Sequence, residues 1–236
     1  MKTGSFLKGA LLAGATSIAL SAATIAHAGI LTSSSLSGQA VTINVNGSSA
    51  GTTAGAFTGT FDGGSGPVGI IFWCVDVFKH VSFPPFSYSG YTAAPFESPP
   101  LAFDATRQAN LARLFTNNFG TALSDAQHSA AFQIAIWDIL FDNDIGTSLT
   151  SISTYGGAGQ FGLSAGNATT IGIAQGYVNA LGTGTPTYPL IQLTSTDRQD
   201  FVTPGPLRLL PEPSPLPLLG VGLALMMFAM RRRQVG

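Results

Sequence analysis

The sequence predicts an α+β body, a β-sandwich or barrel-like part with an inserted bundle of about three helices. Three observations predict it. β-prone residues and period-two alternation dominate the first third, three segments of helical spacing follow between about 104 and 181, and β-prone runs return after 190. No internal repeat interrupts that order.

The elements are taken in chain order. Residues 31–66 are low in charge and rich in Ser, Thr and Gly, and Val41, Ile43 and Val45 alternate ahead of Asn46-Gly47, a strand running into a turn. Phe57 and Phe61 stand among further β-prone threonines. Gly66-Pro67 then opens an almost unbroken apolar run from Val68 to Phe78, the pattern of a buried strand. Prolines at 84, 85, 95, 99 and 100, mixed with aromatics, predict an ordered loop over residues 84–100. Asp104 is placed to cap a helix carrying Ala109, Leu111, Ala112, Leu114 and Phe115, which stops by Gly120.

Ser124-Asp125-Ala126-Gln127 reads as a capping box, with a hydroxyl at the cap and an amide three residues later. The helix it opens runs to about Phe141 and ends in Asn143, Asp144 and Gly146. A third helix spans about 167–181, with Ile171, Ala174, Val178 and Leu181 on one face. Strands at Leu190–Thr194 and Phe201–Val202 complete the body.

Composition narrows the class. Hydrophobic residues make up 45% of the chain, enough for a core, while 29 glycines and 14 prolines make it loop-rich. With both ends trimmed, the length suits one domain. Between residues 29 and 210, five basic side chains face ten acids, a net charge of −5. Such a body has no basic face for phosphates, which argues against a nucleic-acid partner.

The ends carry the remaining cations. Lys2 and Lys8 precede an apolar stretch from Gly9 to Ala23, and Ala26 and Ala28 supply the small residues of a signal-peptidase site. Residues 1–28 therefore read as a signal peptide and helix, with cleavage before Gly29. At the other end, Pro211-Glu212-Pro213 lies in a run whose prolines forbid a helix. Leu216 to Met230 is uncharged and long enough for a short transmembrane helix, and Arg231, Arg232 and Arg233 are held cytoplasmic by the positive-inside rule. These parts, over residues 207–236, resemble the PEP-CTERM sorting signal of Gram-negative bacteria. The resemblance implies an exosortase-like membrane protease as partner, an inner-membrane intermediate anchored by the tail, and final placement at the cell surface or in an extracellular matrix.

The body between the ends, residues 29–206, holds one cysteine, so an internal disulfide is excluded. Cys74 lies inside the most apolar run, and three readings stand: an inert buried thiol, an intermolecular disulfide, or a cysteine committed to another covalent bond. Gln133 lies on the apolar stripe of Ala130, Ile134, Trp137 and Phe141 in the second helix. Burying its amide without partners costs about 1–3 kcal/mol, so it needs either loop backbone to bond or a chemical role.

Trp73-Cys74-Val75-Asp76 followed by Phe132-Gln133-Ile134-Ala135-Ile136-Trp137 resembles the thioester domains of bacterial surface adhesins. That resemblance covers about residues 70–141. It implies that the Cys74 sulfur attacks the Gln133 side-chain amide, expels ammonia and leaves an internal thioester. One position departs: the threonine that the family places before the glutamine is Phe132 here. Trp73, Phe72 and Trp137 are expected to form a dry pocket around the bond. Asp76 has two readings, orienting a group at the site or ending a strand.

The expected role is covalent attachment to an amine-bearing surface protein or matrix polymer, a single-use clamp rather than a turnover enzyme, with no catalytic residues and no cofactor. The alternative is a structural component of an exopolysaccharide or biofilm matrix with an inert Cys74. His80 and His128 read as surface histidines, which disfavours a cysteine hydrolase. Asp138, Asp142 and Asp144 read as a solvated helix end, and no metal site is expected.

Overall fold

A computed structural model describes residues 28–45, 47–98, 101, 103–142 and 161–205. Two long strands, β1 (Gly29–Val45) and β2 (Ser48–Asp62), form one hairpin paired from Ile30↔Asp62 to Val45↔Ser48. Gly47, at φ 81°, takes the left-handed turn conformation that side chains resist. Midway, Gly38 faces Gly55, and a Cβ on either would run into the backbone of the opposite strand. The Ser/Thr/Gly composition thus forms uninterrupted strands of 17 and 15 residues.

β3 (Val68–Cys74), β4 (Phe86–Pro95), β6 (Leu190–Thr194) and β7 (Phe201–Pro204) complete a ring with this hairpin. The antiparallel pairings run β1–β2–β3–β7–β6–β4 and return to β1, so six strands close on one another. A short strand, β5 (Phe161–Ala165), adds to the far half of β1. Phe57, Phe72 and Phe201, drawn from three strands of the ring, meet with ring centroids 4.9–5.6 Å apart. The barrel-like reading of the β part therefore matches the observed pairings.

Three helices lie between β4 and β6: α1 (Ala105–Ala122), α2 (Ala126–Phe141) and α3 (Ala168–Asn179). Asp104 caps α1 by accepting from the Arg107 N–H at 2.9 Å, and Asn167 caps α3. α2 is the central helix. Every residue from Ser129 to Leu140 is buried, and it touches α1, α3, β1, β2 and β5. A helix apolar on all sides belongs inside a core.

Several expectations change. Residues 84–100 are not a loop, because β4 runs through them. Its prolines bracket the strand, where a missing N–H removes no ladder bond, and Phe86 to Ala94 contains none. The apolar run from Val68 ends as a strand at Cys74, and Phe78 is exposed. The cap of α2 is Asp125 and not Ser124, since the Asp125 carboxylate accepts from the His128 N–H at 2.8 Å. α1 continues two residues past Gly120, to Ala122. Strand β5 was absent from the sequence reading.

The signal peptide with Lys2, Lys8 and Ala26, the turn residue Asn46, the helix end at Asn143, Asp144 and Gly146, and the tail from Pro211 to Arg233 lie outside the described residues. Among the described residues, no helix is long and apolar enough to cross a membrane.

Candidate functional site: the end of strand β3 and helix α2

The β2–β3 ladder stops at the pair Phe57↔Phe72, two residues before β3 ends. On the opposite edge, β7 pairs with Trp73 and Cys74, and the Val75 N–H donates to the Asp200 carbonyl at 2.9 Å. Antiparallel geometry then points the N–H and C=O of Cys74 away from β7, toward an edge that no strand covers. Gln133 covers it. The Cys74 N–H donates to Gln133 Oε1 at 2.9 Å, and Gln133 Nε2 donates to the Cys74 carbonyl at 2.8 Å. A side-chain carboxamide thus completes the ladder where β2 turns away.

Both residues are buried, Gln133 at 1% exposure and Cys74 at 8%. The Sγ atom is three covalent bonds from the backbone nitrogen that donates to Oε1. The thiol is protonated, since burial and, secondarily, the negative charge of Asp76 push its pKa far above the usual value. The Gln133 carbonyl is polarised by the Cys74 N–H, the arrangement that stabilises negative charge developing on a carbonyl under attack.

The surrounding walls differ from the expected ones. Trp73 points to the face opposite Cys74, by strand alternation, and packs on Phe115, Phe119 and Phe132 at centroid distances of 5.0–5.7 Å. Trp73 therefore joins strand to helices and does not wall the thiol. Phe72, on the Cys74 face, stacks within the barrel aromatics. Trp137 and Cys74 both line a cavity of about 650 Å³ whose floor includes Val41, Ile43 and Phe57. Gln133 is not among the residues that line it.

Asp76 stands at the cavity edge. Its Oδ1 accepts from the Phe78 N–H at 2.8 Å, which folds the chain into a turn after β3. Its carbonyl accepts from Gln199 Nε2. That turn carries Lys79 to Asp200, at 2.8 Å, and to the Ser195 carbonyl, at 3.1 Å. Lys79, Ser195, Gln199 and Asp200 were not singled out from sequence. Their one signal is that Lys79 is the sole lysine among the described residues.

His80 is exposed and lines the same cavity, but among the described residues no hydrogen bond joins it to the thiol. His128 is 2.8 Å from Asp125 at the start of α2. Asp138 and Asp142 are buried at 2% and 8%, so they are not a solvated helix end: α2 runs through the core to its last turn. Among the described residues, no group of three His, Cys, Asp or Glu side chains is arranged to hold a metal.

No family model and no curated protein matches the sequence. Two solved structures overlap part of the fold. The N-terminal domain of the Streptococcus pyogenes pilus tip adhesin Cpa is 14% identical, with a TM-score of 0.39, over 63% of this chain and 83% of that one. The N-terminal thioester domain of a surface protein from Clostridium perfringens is 12% identical, with a TM-score of 0.38, over 62% and 87%. Both overlaps are partial and remote in sequence.

Proposed function

We propose that the chain is an exported surface or matrix protein whose body forms a Cys74–Gln133 thioester and couples through it to amine-bearing targets. The observation that carries this reading is the two-point seating of the Gln133 carboxamide on Cys74 inside a buried site. Bond formation balances without a co-reactant. Sγ bonds to Cδ of Gln133, the C–N bond breaks, and the thiol proton leaves on nitrogen as ammonia. A primary amine later attacks the same carbon. Nitrogen–carbon replaces sulfur–carbon, the amine proton passes to sulfur, and a stable amide remains.

Export rests on the two end segments. Signal peptidase removes residues 1–28, an exosortase-like protease acts near Pro211-Glu212-Pro213, and the body reaches the cell surface or extracellular matrix by way of the inner membrane. N-terminal sequencing of secreted material should begin at Gly29, and retention of Met1 would refute the leader.

A second reading has an observation of its own. The same two hydrogen bonds satisfy all the polar groups involved, so Gln133 also fits as a strut between α2 and β3 beside an inert thiol, in a structural matrix component. Intact mass of the purified body separates the two. The thioester requires a chain lighter by one ammonia that gains one methylamine on treatment. A full-mass chain, with Cys74 alkylated as soon as denaturant exposes it, leaves the strut. Denaturant is needed because a buried, protonated thiol resists alkylation, so protection in the native state does not tell a free thiol from a thioester.

A further inference from the structure

A stored acyl group is endangered first by amines of its own chain. An amine fixed beside a carbonyl reacts as if present at about 10⁵ M or more when well oriented, beyond any external competitor. Among the side chains of the described residues such groups are scarce: Lys2 and Lys8 precede them, and Arg107, Arg113 and Arg198 carry guanidinium groups rather than amines. The exception, Lys79, follows Cys74 by five residues and lines the same cavity.

Its ammonium is held by three oxygens. Nζ lies 2.8 Å from Asp200 Oδ2, 3.1 Å from the Ser195 carbonyl and 3.6 Å from Asp76 Oδ2. Asp200 is itself anchored, since its Oδ1 accepts from the Ser195 N–H at 2.8 Å and its carboxylate is 4% exposed. We propose that Asp200, with Asp76 and the Ser195 carbonyl, holds the Lys79 ammonium in place, so that the site's own amine does not consume the Gln133 acyl group. Partial burial lowers the Lys79 pKa, but the hydrogen bond and charge of Asp200, then those of Asp76, outweigh it and the net shift is upward. Each unit of that shift removes about nine-tenths of the free-amine form. The inference rests on the thioester reading.

The test compares the full body with Asp200→Asn, Asp76→Asn and the double variant Asp200→Asn with Lys79→Arg. Transfer of the acyl group to Lys79 breaks S–C, forms N–C and returns a proton to sulfur, so mass stays at the ammonia-less value. What changes is chemistry. Asp200→Asn should lose most of its methylamine uptake, yield an alkylatable Cys74 on unfolding, and give a peptide cross-linked between Lys79 and Gln133. Asp76→Asn should show a smaller loss of the same kind. Adding Lys79→Arg, which cannot be acylated, should restore uptake. Uptake unchanged in Asp200→Asn with Lys79 unlinked overturns the proposal, and so does failure of Lys79→Arg to restore it, which assigns the loss to folding. A wild-type body that takes up no methylamine overturns the thioester itself, a distinguishable result.

Discussion

Strand β3 shares one edge between two unlike neighbours. Up to Phe72 the edge belongs to the β1–β2 hairpin, which holds it by backbone pairing and leaves much of its own Ser and Thr surface exposed. Beyond Phe72 it belongs to α2, which holds it by side chains alone: Gln133 on the Cys74 peptide and Phe132 on the Trp73 ring. The hairpin's hold on that edge is specified by its main chain. The helix is specified by its side chains. Chemistry between two particular groups belongs on the second kind of neighbour, where one residue decides what meets the strand edge.

The comparison breaks most visibly at Trp73. Its ring packs on three other rings and is fully buried, so Trp73→Ala should cost toward the upper end of about 3–5 kcal/mol in equilibrium unfolding. A loss under 1 kcal/mol would mean that α2 is not held there.

Next comes the proposed Cys74–Gln133 bond. A thioester between residues 74 and 133 closes a loop of about 60 residues and should restrict the unfolded chain by about 4 kcal/mol. Methylamine cleaves it without changing the sequence. Treated body should therefore melt well below untreated body, while Cys74→Ala should melt low and ignore methylamine. Equal melting of all three would indicate that no covalent link exists between strand and helix.

A smaller effect reads the hydrogen bonds alone. In a Cys74→Ala background, Gln133→Leu leaves the N–H and C=O of residue 74 buried without partners, at about 1–3 kcal/mol for each group. Hydrogen exchange of the residue 74 amide should accelerate in the same variant. Unchanged protection would show that another group takes Gln133's place.

What the sequence disclosed follows the same division. α2 was legible from its apolar spacing, and Gln133 stood out because an amide on an apolar stripe is costly. Cys74 stood out as the sole thiol. Trp73 was assigned to the wrong wall because neighbours in sequence were taken as neighbours in space, whereas alternation sends them to opposite faces of β3. β4 was hidden by the prolines at its ends, and the length of β1 and β2 by a composition that resembles loop. The Lys79–Asp200 pair could not be read at all, since 121 residues separate its members and neither lies on a periodic element.

The least consequential change sharpens the contrast from the hairpin's side. Thr58 is exposed on β2, and what its neighbours bond is its carbonyl: the Ser34 hydroxyl donates to that oxygen at 3.0 Å. Thr58→Ala keeps the carbonyl and every ladder bond, so its cost should stay within about 0.5 kcal/mol, that of an exposed β-branched residue replaced. Methylamine uptake should match wild type. A loss of 2 kcal/mol or a change in uptake would show that side chains of the hairpin, and not its main chain alone, set the geometry at the end of β3.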